Sequence, residues 1–226
     1  DELADGGNAE SDDFEMFASG DGDVIFQALS ADVDASSLNG TLTATIAESD
    51  IEGFSKDVDI KLNSSDSTIN TNGIGATLDA TEVGTGDTVS LTQSGDVGIF
   101  NAGAGMTVDG GSDYSGELTV LSTVDAEGET LTVNTGTANT TVEGANEDGL
   151  IDVDATALNA SSQLTIDGET DVDVASLKSD VVATNSNGFI DIETDAGVDI
   201  VVTAGNGSMD ITGDSADVAV DANAID

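Results

Sequence analysis

Between Val172 and Val220 the chain repeats one phrase, two apolar residues separated by an acidic or small one. The pairs are Val172-Asp-Val174, Ile190-Asp-Ile192, Val198-Asp-Ile200, Met209-Asp-Ile211 and Val218-Ala-Val220, and Val181-Val182 fills the one gap. Their first members fall at 172, 181, 190, 198, 209 and 218, in steps of 9, 9, 8, 11 and 9. Alternation within each pair has the period of a strand, and the segments are too short for helices. Turn-forming runs separate them, and Asn-Gly-x-apolar-Asp-Ile occurs twice, at Asn187 and Asn206. A step near nine, doubled to about 18–20, predicts a two-sided coil whose circuits each supply two short strands and two turns. One circuit cannot bury its apolar face, whereas stacked circuits pack each inward Val or Ile on the one below. The fold class expected is all-β, a parallel β-solenoid or β-roll-like coil. A β-sandwich, whose hairpins also return every 8–12 residues or so, is the alternative.

Composition agrees with a thin core. Hydrophobic residues make up 38% of the 226, but aromatics only 3%, with no Trp, so Val, Ile, Leu and Ala must fill the interior. Proline is absent, as suits a long ladder of backbone hydrogen bonds. Lys56, Lys61 and Lys178 face 33 Asp and 13 Glu, for a net charge of −43. Self-repulsion on that scale calls for bound cations or a salty medium, and it excludes nucleic acid and anionic membrane surfaces as partners. Disulfides are ruled out by the absence of Cys, and no apolar run nears the roughly 18 residues that span a bilayer. No leader pattern stands at Asp1, so secretion is an expectation from composition alone.

In chain order, residues 1–13 read as a flexible acidic arm, 14–110 as an irregular β region and 111–226 as the regular solenoid. The turn-rich run Asp109–Gly116 marks the boundary. Strands are expected at 24–29, 58–62, 89–91, 97–100, 106–108, 118–121, 131–133, 150–153 and 164–166, and Ala47–Ser55 is the best helix candidate. A second phrase, apolar-Asp-Ala-small-small-apolar, stands at Val33, Leu78, Val153 and Val220, with an echo at Val124. The 45 residues from 33 to 78 read as two and a half circuits of about 18. Both apolar ends can face inward while Asp and small residues turn a corner through side-chain-to-backbone hydrogen bonds.

The phrases VDASSLNGTLT (33–43) and VDATALNASSQLTI (153–166) resemble those of bacterial surface-layer and adhesin β-solenoids related to repeats-in-toxin proteins. The resemblance implies an extracellular structural role and calcium held in Gly-rich turns. Gly84-Thr-Gly-Asp87 and Asp109-Gly-Gly-Ser-Asp113 are the nearest such turns here, while Asp210 of Gly205-Asn-Gly-Ser-Met-Asp-Ile211 falls inside a strand.

Calcium takes about six to eight oxygen ligands, and closely spaced aspartates are the available source. The candidate metal residues are the pairs Asp21/Asp23, Asp109/Asp113, Asp152/Asp154, Asp171/Asp173, Asp195/Asp199 and Asp214/Asp217, set against a merely solvated acidic surface. Without His or Cys, transition-metal sites and Ser or Cys nucleophiles are not expected. Paired carboxylates could cleave glycosides, but only Tyr114 is available to stack a sugar, and no enzyme is expected. Five Asn-x-Ser/Thr sequons, at Asn39, Asn63, Asn139, Asn159 and Asn206, are little more than this composition yields by chance.

The function expected is an extracellular structural protein that self-assembles into a surface layer or fibre, cemented by divalent cations. An adhesin segment binding a surface or a cell-surface polysaccharide is the second reading, and a secreted carbohydrate-active enzyme the third. Candidate assembly residues are Phe14, Met16 and Phe17 at one end and Val218, Val220 and Ile225 at the other. The segment Asp13–Ala18 is expected either to add as a strand to a neighbouring copy or to fold back on its own sheet.

Overall fold

A computed structural model describes residues 15–29, 31–46, 58–195, 197, 199–213 and 218–221. The expected arm at 1–13, the helix candidate Ala47–Ser55, and Phe14, Asp214, Asp217 and Ile225 lie outside these residues. The described residues form strands and turns without a helix.

The strands alternate between two parallel sheets. Sheet A stacks β1 (Glu15–Gly20), β3 (Asp32–Leu38), β5 (Val58–Lys61), β7 (Ala76–Asp79), β9 (Val97–Ala102), β11 (Leu118–Ser122), β13 (Thr140–Gly144), β15 (Gln163–Gly168), β17 (Asp180–Val182), β19 (Ile200–Thr203) and β21 (Val218–Asp221). Sheet B stacks β2 (Val24–Leu29), β4 (Leu42–Ile46), β6 (Ser67–Asn70), β8 (Thr88–Thr92), β10 (Thr107–Asp109), β12 (Thr130–Asn134), β14 (Leu150–Asp154), β16 (Asp171–Leu177), β18 (Ile190–Thr194) and β20 (Met209–Gly213). The fold is a β-solenoid. Eleven strands at a spacing of about 4.8 Å make a stack roughly 50 Å long.

Alternation on each strand sends every second residue inward, and parallel pairing puts those residues in columns. One column in sheet A runs Val33, Ile60, Leu78, Ile99, Val120, Val142, Ile166. Its counterpart in sheet B runs Val89, Val108, Val133, Val153, Val174, Ile192. All of these are buried in one continuous core. The two Asn-Gly phrases lie one circuit apart: Ile190 pairs with Met209, and the Asn206 amide donates to Asn187 Oδ1 at 3.4 Å.

Circuit length varies more than the sequence pattern implies. Leu164 pairs with Val181, 17 residues on, whereas Val33 pairs with Ile60, 27 residues on. Val33, Ile60 and Leu78 are successive members of one column, so the 45 residues from 33 to 78 are two circuits rather than two and a half. Of the expected pair Val198-Asp-Ile200, Val198 lies outside the described residues, and the rest departs from the expected register. The strand starts at Ile200, with Ile200 and Val202 inward and Val201 outward, so Asp199 stands before the strand. Through Asp109–Gly116 the ladders continue, β9 pairing with β11 and β10 with β12. Residues 15–20 fold back on their own chain, where β1 pairs with β3.

The second phrase is a corner, as its chemistry requires. Asp34, Asp79 and Asp154 accept the backbone N–H two residues on, from Ser36, Thr81 and Thr156, at 3.0, 3.1 and 2.9 Å. The Ala that follows each Asp is buried, which leaves no room for a larger side chain inside the bend.

Glycine is needed where circuits touch at the corners. A Cβ on Gly116 would meet the Gly95 carbonyl of the circuit below and the Tyr114 hydroxyl. Tyr114 itself is fully buried, so the only tyrosine cannot stack a sugar. Its hydroxyl lies 2.9 Å from the Gly95 carbonyl and 2.8 Å from that of Glu117, and burial pushes its pKa up.

Candidate functional site

Two features on the outer faces carry chemistry, a column of carboxylates on sheet B and a hollow on sheet A.

The column follows from register. Asp152 on β14 pairs with Asp173 on β16, Asp173 with Asp191 on β18, and Asp191 with Asp210 on β20. All four alternate with inward apolar residues, so all four face out. Earlier circuits place Thr88, Thr107 and Thr132 in the same column. Burial and then the carboxylates of Asp191, Asp152 and Asp171 hold Asp173 above the usual carboxylate range. Asp199 does not join the column, and Asp152 and Asp210 do.

The remaining candidate ligands mostly serve the stacking of circuits. Asp21 Oδ1 accepts the Asn39 amide at 2.8 Å, and Asp23 Oδ1 accepts the Thr41 N–H at 2.9 Å, which lowers the Asp23 pKa. Asp171 Oδ1 accepts the Phe189 N–H at 2.7 Å, one circuit up. Asp195 lies 3.8 Å from Lys178. In the two Gly-rich turns, Asp87 Oδ2 accepts the Gly84 N–H at 3.0 Å, closing its own turn, and Asp109 Oδ1 accepts the Asn134 amide at 3.2 Å. Asp109 shares a hollow of about 370 Å³ with Asn134 and Asp154, and Asp113 is not part of its lining. Among the described residues, no group of three or more carboxylates is arranged to hold a metal ion. Of the sequons, Asn63 is fully buried, its amide donating to the carbonyls of Leu38 and Gly40 at 3.1 and 2.6 Å.

The hollow lies where an outward column of sheet A lacks a side chain. That column runs Thr77, Gly98, Thr119, Thr141, Thr165. At Gly98 the gap is covered by the phenyl ring of Phe100, two residues along the same strand. A Cβ on Gly98 would stand 3.3 and 3.7 Å from ring carbons. Such covering shields a strand glycine from water. Only the far edge of the ring meets the glycine, and Phe100 remains 39% exposed. Thr77 and Thr119 flank the ring, while Asp96 and Glu117 stand at the corner where β9 and β11 begin. The space enclosed is about 460 Å³.

Both carboxylates are held in place. Asp96 Oδ1 accepts the Glu117 N–H at 2.9 Å, and Glu117 Oε1 accepts the Asn139 amide at 3.2 Å. Tyr114 binds the backbone of this same corner from beneath. A second hollow, of about 410 Å³, continues along the sheet with Thr77 in common and contains Asp32, Asp59, Asp79 and Lys61. Lys61 there lies 3.3 Å from Asp34 Oδ2.

Sequence reasoning passed over Phe100. The signal was present as Gly98-Ile-Phe100, a glycine and an aromatic two apart on the outward parity of a strand. Compared with protein-family models, curated proteins and solved structures, the chain matches none.

Proposed function

We propose that this chain is a non-catalytic structural module of an extracellular surface layer or fibre. Its circuits stack end to end with those of further copies, and divalent cations lie along its carboxylate column on sheet B. The observation that carries this reading is the fate of the inward columns at the two ends of the described stack. Inner members are closed off on both sides, but Met209 and Ile211 on β20 are only half-buried, and on β21 Val218 and Val220 are 37% and 52% exposed. At the opposite end Met16, Val24 and Phe26 are half-buried, while Phe17 and Ile25 point outward and are 75% and 66% exposed. A parallel ladder with apolar side chains on its outermost described rung accepts another rung of the same kind. Because residues 15–20 pair with β3 of their own chain, the contact is the stacking of complete end layers, not donation of that strand. A repeated contact of this kind that does not close gives a filament.

Light scattering and negative-stain microscopy of wild type and of Val218→Lys/Val220→Lys, in calcium and in chelator, test the reading. Wild type should assemble and the double variant should stay a folded monomer. A wild type that remains monomeric at every concentration, or a double variant that assembles equally well, would overturn it.

A further inference from the structure

We propose that the Phe100 hollow on sheet A is a binding site for a protonated amino sugar, one residue of a cationic polysaccharide. This inference goes beyond the structural role and does not depend on it.

The exposed phenyl ring of Phe100, its far edge against Gly98, offers an apolar surface at the hollow. The apolar C–H face of a pyranose ring lies well on such a surface, and a nearby cation gains from the ring's electron-rich face. Asp96 and Glu117 supply the counter-charge beside that surface. Each uses one oxygen to accept a hydrogen bond from the protein, and its other oxygen has no protein partner among the described residues. These remaining oxygens are placed to accept charge-assisted hydrogen bonds from an ammonium group. Thr77 and Thr119, one circuit to either side, offer hydroxyls that both donate and accept.

The corner is braced before any ligand arrives, because the buried Tyr114 hydroxyl sits between the Gly95 and Glu117 carbonyls and donates its one proton to either. Such preorganisation lowers the ordering cost of binding. A volume of about 460 Å³ is within the usual range for small-ligand sites.

Charge selects among sugars. With 46 acidic residues in the chain and two carboxylates at the hollow, an anionic sugar is repelled. A polymer with an ammonium on each ring can continue toward the adjoining hollow, where Asp32, Asp59 and Asp79 outnumber the one ammonium of Lys61, itself 3.3 Å from Asp34. A basic peptide is the rival occupant, and trilysine is its probe.

The test is a ¹⁵N NMR titration of the whole chain with a β-1,4-linked glucosamine disaccharide, at a pH where its amines are protonated. Physiological ionic strength is used, at which a screening length of about 8 Å mutes general attraction to the polyanion. The N-acetylated disaccharide and trilysine serve as comparison ligands. Shifts should concentrate at Thr77, Asp96, Gly98, Phe100 and Thr119. Phe100→Ala, which leaves the net charge unchanged, should weaken binding about tenfold. Asp96→Asn should weaken it comparably, whereas Asp210→Asn, which removes the same charge on the other sheet, should leave it intact. Tyr114 emission reports whether each variant keeps its core. Failure to bind, equal binding of the N-acetylated sugar, or Phe100→Ala and Asp96→Asn variants no weaker than Asp210→Asn would each overturn the proposal. Trilysine binding as tightly, with the same sensitivity to Phe100→Ala, would overturn it in favour of a basic peptide.

Discussion

Replacing Asp173 by asparagine isolates the effect of the carboxylate column. Asp173 is flanked in register by Asp152 and Asp191, each about 4.8 Å away along the stack. Two unit charges at that distance repel by about 0.9 kcal/mol in bulk water, the appropriate scale for a solvent-exposed residue. Two neighbours give about 1.7 kcal/mol, and physiological salt roughly halves this. In the unfolded chain these residues are 18 or more positions apart, so most of the repulsion belongs to the folded state. Asp173→Asn should therefore stabilise the fold by about 1 kcal/mol, raising Tm by about 2–4 °C. The column also sets a ratio. Asp191 has two like-charged neighbours, Asp173 and Asp210, whereas Asp152 is paired with Thr132 on its other side, and Asp210 has one such neighbour among the described residues. Asn at 173 or 191 should accordingly stabilise about twice as much as Asn at 152 or 210. High sodium chloride or millimolar calcium should shrink all four effects. The pH dependence has a definite sign. The Asp173 pKa is raised in the folded state, so its share of wild-type stability grows as pH falls through that pKa and is lost as pH rises, and the advantage of Asp173→Asn must fade in acid. Thermal melts of the four variants against pH and salt measure this. Four equal effects, or a destabilising Asp173→Asn at neutral pH, would refute the reasoning.

Thr140 stands in the inward column between Leu118 and Leu164 with its hydroxyl buried and unpartnered among the described residues, so Thr140→Val should stabilise by about 1 kcal/mol in denaturant melts. The corner bond from Ser36 to Asp34, side chain first and then backbone, lowers the Asp34 pKa, with a smaller contribution from Lys61. Its stabilisation is present above the unfolded carboxylate pKa and lost as pH falls through the folded one, so Asp34→Ala should cost about 1 kcal/mol at neutral pH and little in acid. Ile192→Asp places a charge in the core and should abolish cooperative unfolding of the surrounding circuits, whereas Asp191→Ser should fold normally; circular dichroism and Tyr114 emission separate the two.

Much of the architecture was legible in the chain because it rests on local chemistry. Alternating Val and Ile with a polar residue between them can bury only one face, so the inward residues Val172, Val174, Ile190 and Ile192 follow from parity alone. Asp followed by Ala bends the backbone through a bond spanning two residues, which requires no partner from elsewhere in the chain. The repeated Asn-Gly phrase even specifies its own register, since identical turns stack best on each other. What spacing did not reveal was how circuits of unequal length align. Parallel pairing joins residues 17 to 27 positions apart, and each corner absorbs a different excess, so lateral neighbours cannot be counted off from a mean period. Asp152 therefore joins a column that Asp199 does not, and Asp109 meets Asn134 instead of pairing with Asp113. Burial depends on the same alignment. A turn-rich run around Tyr114 reads as solvent-exposed, yet stacking of the corner glycines closes over its ring, while Phe100, within β9 where the pairing with β11 shifts register, stays exposed. Local sequence sets which way each side chain points, but only the stacked structure sets which residue lies beside it, because that register is the sum of all the intervening corners.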